Sequence, residues 1–185
     1  MLFTFNNKRI RGIISVLPEQ EVTFEEEAEN YAFPVKQTMR LKKVMGFEKH
    51  RIAKKGTAAS DLCLFGIEHL LVNGLIKNDE IGAIVVVTVT PDHFLPQVST
   101  ILQGKLGLSH EVFCVDISQG CAGFIVGLLE SFMLLDHMAD KKVLLLNVDV
   151  LSHKVSKQDR GSYPLIGDAA TVAVIENVHE ISSPQ

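Results

Sequence analysis

Apolar residues recur along the chain in short runs that are typical of buried β-strands. The clearest is IGAIVVVTVT over residues 81–90, where β-branched residues follow one another almost without interruption. Such runs are typical of strands that are covered on both faces, as in a parallel sheet. Further strands are predicted over 10–17, 112–117, 143–149 and 171–176.

Segments between these runs carry the start and stop signals of helices. Thr23 and Glu26 have the spacing of a capping box, so a short acidic helix should follow as far as Tyr31. Four more helices are predicted: 34–45 with Gly46 as its stop, one capped by Ser60 or Asp61 and ended by Gly74, 96–106, and 121–137. Strands and helices alternate with strand starts about 30 residues apart, which is typical of βαβ units. We therefore expect an α/β fold with a mostly parallel, layered sheet.

The helix predicted after Cys121 has no polar face. Its apolar residues are Phe124, Ile125, Val126, Leu128, Leu129, Phe132, Met133, Leu134 and Leu135. A helix that is apolar all round must be buried between other layers. A domain of this size with one sheet has little to cover the helix's far side, so we expect a second domain or a partner subunit to cover it.

Composition and charge exclude several classes of protein. With 46% hydrophobic and 22% charged residues in 185, the chain is neither disordered nor fibrous, and its length suits one domain or a large fragment of one. A net charge of −4 argues against nucleic-acid binding through bulk positive charge. The first residues lack the order of a secretory signal, and the longest nearly uncharged stretch, 117–135, is too short to cross a bilayer. We expect a soluble protein that binds no membrane.

The three cysteines, Cys63, Cys114 and Cys121, are widely spaced and have no CxxC or Cys/His metal spacing. This pattern supports neither a disulfide scaffold nor a metal site, and it indicates a reduced, cytoplasmic setting. Cys121 differs from the other two because it stands where a strand turns into a helix, with Gly120 before it and Gly123 after it. The glycines leave room for a strained turn and a close ligand, as in a nucleophile elbow. A helix N-terminus favours the thiolate, so Cys121 is the candidate nucleophile, whereas Cys63 and Cys114 are expected to serve packing.

The stretch QGCAGFIVGL over 119–128 resembles the active-site motif of the β-ketoacyl-acyl carrier protein synthase III family, enzymes of the thiolase fold. Further matches to the family are 82–88, Phe94-Leu95-Pro96 with Leu106-Gly107, Asp159-Arg160-Gly161 and Gly167-Asp168-Ala169-Ala170, so the resemblance covers residues 10–177. It implies that residues 1–185 form the N-terminal half of a thiolase-fold condensing enzyme, with the C-terminal half absent. The expected fold is thus one half of a layered thiolase fold, a mixed, mostly parallel five-stranded sheet with helices.

The resemblance implies a decarboxylative Claisen condensation, as in the biosynthesis of fatty acids or related acyl chains. Cys121 would take an acyl group from a thioester, and malonyl-acyl carrier protein would then lose carbon dioxide and attack the acyl-cysteine. The family places a His and an Asn of the site in the half that is absent here, so no His of this chain is assigned to that role. No cofactor is expected beyond coenzyme A as part of a thioester substrate.

Several positions depart from the family pattern. Where the family places a Trp and an Arg that clamp the coenzyme A adenine, this chain has Arg40 and Val44, while Arg160 is retained. An acyl carrier protein therefore joins acyl-coenzyme A as a candidate acyl donor. The Phe that closes the acyl pocket across the dimer is replaced by Leu95, with Phe94 beside it, which implies a longer pocket. The resemblance thus assigns Arg160, Phe94, Leu95 and Arg40 to substrate binding.

Two further changes mark a divergent member of the family: GDAATV stands for the usual GDGAGA, and Asn147-Val148 replaces a Gly-Ser. Eight of the eighteen basic residues also fall within 36–55. They are Lys36, Arg40, Lys42, Lys43, Lys49, Arg51, Lys54 and Lys55. This cluster either attracts the acidic carrier protein and coenzyme phosphates or is an ordinary solvated surface.

Two alternatives to the condensing enzyme stay open. His93 and His153 follow strand ends and could pair with Cys121 as a self-contained Cys/His acyltransferase. Otherwise the chain is a non-catalytic partner subunit or dimerisation domain, although such a subunit has no chemical need for Cys121. By resemblance we also expect a homodimer formed through residues 82–117. The polar end of the chain, 182–185, is expected to be a linker in which the sequence was cut.

Overall fold

The computed structural model describes residues 2–46, 48–138 and 140–178, so the polar run 182–185 lies outside the described residues. Strands and α-helices in the described part follow one another along the chain. They are β1 (Lys8–Val16), β2 (Gln20–Thr23), α1 (Phe24–Glu27), α2 (Val35–Met45), β3 (Lys49–Ile52), α3 (Ala59–Val72), β4 (Ile81–Val87), α4 (Val98–Lys105), β5 (Phe113–Ile117), α5 (Gly123–Leu135), β6 (Lys142–Asp149) and β7 (Ala169–Asn177).

Five strands form the main sheet, in the order β1-β7-β6-β4-β5. Both neighbours of β4 run parallel to it, whereas β7 is antiparallel to β6 and to β1. Helices α4 and α5 connect the parallel strands, as parallel pairing requires, whereas β6 reaches β7 through a loop that can reverse its direction. Only β7 runs against the other four strands, so the predicted mixed, mostly parallel five-stranded sheet is confirmed.

Helices cover the sheet on both faces, which gives three layers. Helices α3 and α4 pack on one face, where Ile67 and Leu102 meet strand residues such as Ile84 and Leu144 in one buried cluster. Among the described residues, α5 is the one helix that packs on the other face, over a smaller cluster that includes Val85. We call these the α3 face and the α5 face.

Two glycines let α5 lie very close to the sheet. A Cβ atom on Gly123 would lie 2.3 Å from Val87 Cγ1, and one on Gly127 would lie 2.6 Å from Leu145 Cδ1. Neither position could carry a larger side chain without moving the helix away from β4 and β6. From the sequence, Gly123 is expected to leave room for a ligand. In the structure, Gly123 instead lets α5 pack closely on the sheet.

The far side of α5 is open, as the sequence predicts. Ile125 is 65% exposed and Met133 is 46% exposed. Both side chains are large and apolar, and the described part of the chain offers nothing that covers them. No helix within the described residues combines the length and the apolar character that crossing a bilayer demands.

A second sheet, formed by β2 and β3, is not predicted from the sequence. The two strands pair antiparallel with Glu21 opposite Arg51, and Glu21 forms ion pairs with Arg51 and Lys49. Each strand has only four residues and both are mostly polar, so neither shows the apolar alternation of a half-buried strand.

Element boundaries differ from prediction where tertiary contacts fix them. The capping box of Thr23 and Glu26 is present, but α1 ends at Glu27 instead of Tyr31. Asp61 does not cap α3 as its first residue; its carboxylate accepts a hydrogen bond of 3.0 Å from the Ala58 N–H, three residues earlier.

Helix α4 begins at Val98 and not at Pro96. Its first free amides, those of Val98 and Ser99, donate to the Asp116 carboxylate at 2.7 and 2.9 Å. The peptide bond between Leu95 and Pro96 is cis. Because Asp116 lies on β5, this cap ties the helix to the edge strand of the sheet.

Candidate active site

Cys121 lies in the turn between β5 and α5, at the carboxyl end of the edge strand, and it is exposed. The Gly123 N–H donates to the Gly120 carbonyl at 2.7 Å, which closes the turn just before the helix begins. Neither Gly120 nor Cys121 has a positive φ angle. The expected strained turn is therefore not observed, although the cysteine is presented at the helix start as predicted.

The cysteine opens onto a cleft of about 640 Å³ on the α5 face, which we call the cysteine cleft. Residues from both edges of the sheet and from its centre line the cleft. They are Ile13, Val87, Val89, Gln119, Gly120, Cys121, Phe124, Asn147, Val148, Asp149, Leu151, Gly167, Ala169, Thr171 and Ala173. Sequence reasoning did not find the contributions of β1 and β7, because these strands join the site only through sheet pairing.

Polar groups stand at two levels of the cysteine cleft. Asp149, at the end of β6, accepts hydrogen bonds from Thr88 Oγ1, the Val89 N–H and Thr90 Oγ1 at 2.9–3.1 Å. This carboxylate therefore ties the end of β6 to the segment after β4, which forms one wall. Two residues deeper, Asn147 lies opposite Thr171 on β7.

A second cavity of about 810 Å³ adjoins the cysteine cleft, with Val89 and Leu151 lining both. Phe94 and Leu95 line this second cavity, which we call the Leu95 cavity, and they are 98% and 79% exposed. The structure thus brings the two predicted acyl-pocket residues next to the cysteine cleft. Their outer sides are uncovered.

The two arginines assigned to substrate binding lie away from both cavities. The Arg160 guanidinium stacks on the ring of Phe33, with its Cζ 3.5 Å from the ring centre. Arg40 is exposed on α2, which begins two residues after Phe33. Neither arginine lines the cysteine cleft or the Leu95 cavity.

Neither candidate histidine meets Cys121 in the described part of the chain. His93 lines the Leu95 cavity, and the Nε2 atom of His153 lies 3.1 Å from the Ala53 carbonyl oxygen. Neither is among the residues that line the cysteine cleft. The geometry therefore gives no support to a self-contained Cys/His pair.

The other two cysteines are protected, as predicted. Cys63 is fully buried, and burial together with the charges of Asp92 and Asp116 raises the pKa of its thiol. Cys114 is half-buried on β5, and burial followed by the Asp116 charge raises its pKa as well. Raised pKa values keep both thiols protonated and poorly nucleophilic at neutral pH.

Half of the basic cluster is neutralised by glutamates. Lys42 pairs with Glu25, Lys49 and Arg51 with Glu21, and Lys54 with Glu19. Lys36, Arg40 and Lys43 are exposed, and their spacing places them along one side of α2. The positive surface is thus narrower than the sequence alone indicates.

A buried polar group holds the β2–β3 sheet and α1 against the loop before β7. His50 Nε2 lies 2.8 Å from the Glu27 carboxylate, while His50 Nδ1 bonds the Ile166 carbonyl. Since a carbonyl only accepts, Nδ1 must donate. The nearby Tyr163 is buried, and burial together with the Glu27 charge raises its pKa to about 12. This group braces the fold and contributes nothing to the cysteine cleft.

Comparisons with known proteins agree with this geometry. The family model of 3-oxoacyl-[acyl-carrier-protein (ACP)] synthase III matches residues 115–184. The β-ketoacyl-[acyl-carrier-protein] synthase III of Rhodopirellula baltica is 35% identical over 167 residues, which are 90% of this chain and 47% of the relative.

Solved structures show the same fold. The 3-oxoacyl-(acyl-carrier protein) synthase of Burkholderia xenovorans has a TM-score of 0.85 at 31% identity, covering 95% of this chain and 50% of that chain. The β-ketoacyl-[acyl carrier protein] synthase III of Thermus thermophilus has a TM-score of 0.80 at 26% identity, covering 93% of this chain and 52% of that chain. The chain spans about half the length of the curated relatives it matches.

Proposed function

Because the chain is a relative of the β-ketoacyl-acyl carrier protein synthase III family in sequence and in fold, we propose that it forms the N-terminal half of a condensing acyltransferase. The observation that carries the proposal is the exposed Cys121, which opens onto the cysteine cleft from a strand–helix turn. An exposed thiol at a helix start suits nucleophilic chemistry better than a packing role.

The first step transfers an acyl group to Cys121. The sulfur attacks the carbonyl carbon of an acyl thioester, the new C–S bond forms as the old one breaks, and the donor thiol leaves with the proton. The Cys121 amide is the donor that this half supplies to the negative charge on the acyl oxygen.

The second step joins the acyl group to malonyl-acyl carrier protein. Loss of carbon dioxide leaves an electron pair on the malonyl carbon, which attacks the acyl carbon and releases the Cys121 thiolate. By family resemblance, a His and an Asn outside this chain stabilise the charge that develops on the malonyl thioester. This chain alone should therefore accept an acyl group without condensing it.

The acyl chain extends from Cys121 past Val89 and Leu151 into the Leu95 cavity. These two residues line both spaces, and the walls next to the opening are apolar. Leu95 is smaller than the Phe that the family resemblance leads one to expect, so the cavity holds acyl groups longer than acetyl. Phe94 would form the remaining wall.

The acidic carrier protein binds along α2. Lys36, Arg40 and Lys43 present one row of positive charge without ion-pair partners among the described residues. Arg160, fixed over Phe33 near the start of α2, is placed to bind a phosphate of the carrier prosthetic group or of acyl-coenzyme A. Opposite charges across this surface would mainly accelerate the encounter.

We further propose that the protein forms a homodimer through residues 82–117. Strand β5 lies at the edge of the main sheet, and Phe113 on it is 44% exposed. Pairing with the same strand of a second copy would remove this apolar edge. Light scattering should give a dimer at micromolar concentration, and a purely monomeric protein would refute the assignment.

Intact-protein mass spectrometry tests the proposed activity. Incubation with acyl-coenzyme A or acyl-carrier protein should add one acyl group, and Cys121→Ala should add none, with Cys114→Ala as the matched control that stays acylated. A non-catalytic partner subunit would give no acylation with any donor.

Condensation is then assayed with malonyl-carrier protein, comparing this chain with the protein extended to the length of its relatives. Product formed by this chain at the rate of the extended protein would contradict the half-site argument.

A further inference from the structure

Asn147 is an unusual residue for its position in the main sheet. It follows four buried apolar residues of strand β6 and precedes the buried Val148. The four are Val143, Leu144, Leu145 and Leu146. Asparagine is disfavoured in strands, so its presence in the middle of the sheet asks for a compensating interaction. No such interaction is made inside the described part of the chain.

The amide of Asn147 has an unused hydrogen-bond donor. Its Nδ2 atom is buried and has no partner among the described residues. Leaving a buried donor unsatisfied is costly, and such groups are rare in folded proteins. A rotation of about 180° around χ2 of Asn147 exchanges the positions of Nδ2 and Oδ1. This rotation is permitted because the χ2 torsion of asparagine has a broad energy minimum. The donor can therefore turn toward the open side of the residue.

The open side of Asn147 is the cysteine cleft. Asn147 lies level with Val87 of β4, which in turn lies level with Ile117, the last residue of β5. Cys121 follows Ile117 after a short turn, and Cys121 and Asn147 both line the cysteine cleft. An acyl group on Cys121 would thus share the cysteine cleft with the Asn147 side chain before it reaches the Leu95 cavity.

The cleft is also lined by the polar side chains of Gln119, on the turn before Cys121, and of Asp149 and Thr171. Asp149 can only accept hydrogen bonds when ionised, and its Oδ1 atom already accepts three. The groups on either side of Asn147 are the apolar Val87 and the short Thr171. Among the residues that line the cleft, Asn147 is the one with a buried side-chain polar atom that lacks a partner in the described part of the chain.

We propose that Asn147 is a specificity-determining residue that donates a hydrogen bond to a hydroxyl or keto oxygen on the acyl group, a few carbons beyond the thioester. This inference rests on the proposed acylation of Cys121. The preferred substrates are acyl thioesters with an oxygen substituent near the thioester, in place of plain alkanoyl thioesters. A buried donor that stays unpaired with an alkanoyl group is what creates the preference.

The test measures acylation rates of Cys121 by intact-protein mass spectrometry with two probes, hexanoyl and 3-hydroxyhexanoyl N-acetylcysteamine thioesters. The unmodified protein should react faster with the hydroxylated probe by about three- to tenfold, the ratio that one hydrogen bond gives. Asn147→Leu removes the donor and should abolish or reverse this ratio. Asn147→Thr keeps a hydroxyl donor and should restore part of it, while Asn30→Leu on the exposed surface should leave it unchanged.

Each other outcome is decisive. Equal ratios in the unmodified protein and Asn147→Leu would overturn the proposal. A loss of rate that is the same for both probes would mean that Asn147 contacts the thioester itself, which also overturns it. A lower melting temperature with an unchanged ratio would show that the amide serves folding or subunit packing. If neither probe acylates Cys121, the proposed function fails and this inference falls with it.

Discussion

Helices cover the two faces of the main sheet to different extents. On the α3 face, two helices bury a continuous cluster in which Cys63, Ile67 and Leu102 are fully inaccessible. On the α5 face, a single helix covers fewer residues, and much of its own apolar surface is half-buried or exposed, as at Ile125. The cysteine cleft lies on the open face.

This difference suggests that the α3 face mainly stabilises the fold, whereas the α5 face carries the candidate site. The α3 face carries the larger buried cluster, so its packing should account for most of the free energy of unfolding. The α5 face is apolar yet unfinished, which is expected where another part of a larger protein packs. The exposed Cys121 thiol, the cysteine cleft and the unpartnered Asn147 amide nitrogen all belong to the α5 face.

The largest predicted difference between the two faces is in the rate at which their cysteines react with an alkylating reagent. Brief, limiting iodoacetamide at neutral pH should label Cys121 faster than Cys63 by on the order of 100-fold, the ratio given by a local opening that costs about 3 kcal/mol. Peptide mapping measures the ratio. Because their pKa values are raised, Cys63 and Cys114 should gain reactivity only as the pH rises well above neutral. Preferential labelling of Cys63 or Cys114 at neutral pH would contradict the assignment of Cys121.

Truncation of apolar side chains should cost stability on the closed face. Leu144→Ala removes a fully buried side chain beneath α3 and should lower the free energy of unfolding by about 2–5 kcal/mol. Ile125→Ala, on the exposed side of α5, should change it by less than about 0.5 kcal/mol in this chain. Urea unfolding measures both. A large effect of Ile125→Ala would mean that this chain covers α5 with a second copy of itself.

One substitution, glycine to alanine, should have opposite signs on the two faces. Gly123→Ala places a methyl group against Val87, a stiff β-branched neighbour, and should destabilise the fold by about 1–3 kcal/mol. Gly104→Ala, in α4, meets no atom within 4 Å and should stabilise the fold by about 0.5–1 kcal/mol. Thermal unfolding of the two variants checks the prediction. Stabilisation by Gly123→Ala would show that α5 is not held against the sheet.

The smallest predicted effect concerns the start of α3. The Ala58 N–H, and after it Lys105, holds the pKa of Asp61 below its usual value. A lowered pKa means that the carboxylate stabilises the fold above about pH 4 and that this contribution is lost as the pH falls. Asp61→Asn should cost about 0.5 kcal/mol at neutral pH, because the site is half exposed, and less near pH 3, since the contribution declines as the pH falls through the lowered pKa. Urea unfolding at the two pH values measures it, with the exposed Glu29→Gln as control; a cost that is the same at both would refute the charge argument.

The sequence predicts most of the sheet because its strands carry their own signal. The β-branched run of β4 and the apolar run of β6 are unambiguous, and the all-apolar α5 correctly indicates a helix that the described residues leave partly uncovered. The β2–β3 pair is missed because both strands are short and mostly polar, so no local pattern reveals the pairing of Glu21 with Arg51. The same pairing explains why the basic cluster looked broader in the sequence than it is.

Prediction of the candidate site from the sequence identifies the exposed position of Cys121 and stops at its surroundings. Cys121 is marked by its own motif, and Leu95 by a neighbouring one. Ile13 and Thr171 line the cleft only because β1 and β7 meet in the sheet, and Arg160 finds Phe33 only after the chain has folded. Such contacts are long-range, so they depend on the fold and not on spacing along the sequence.

The order of the strands has a consequence for how the protein is made. Strand β1 pairs with β7, and the ion pair of Arg9 with Glu176 joins residues 167 positions apart. At a synthesis rate of about 5–20 residues per second, β1 waits on the order of ten seconds for its partner to leave the ribosome. During that interval Ile13 and its neighbours have no strand to pair with. Nascent chains should therefore depend on chaperones until β7 emerges, and the rate of folding should be limited by this late closure.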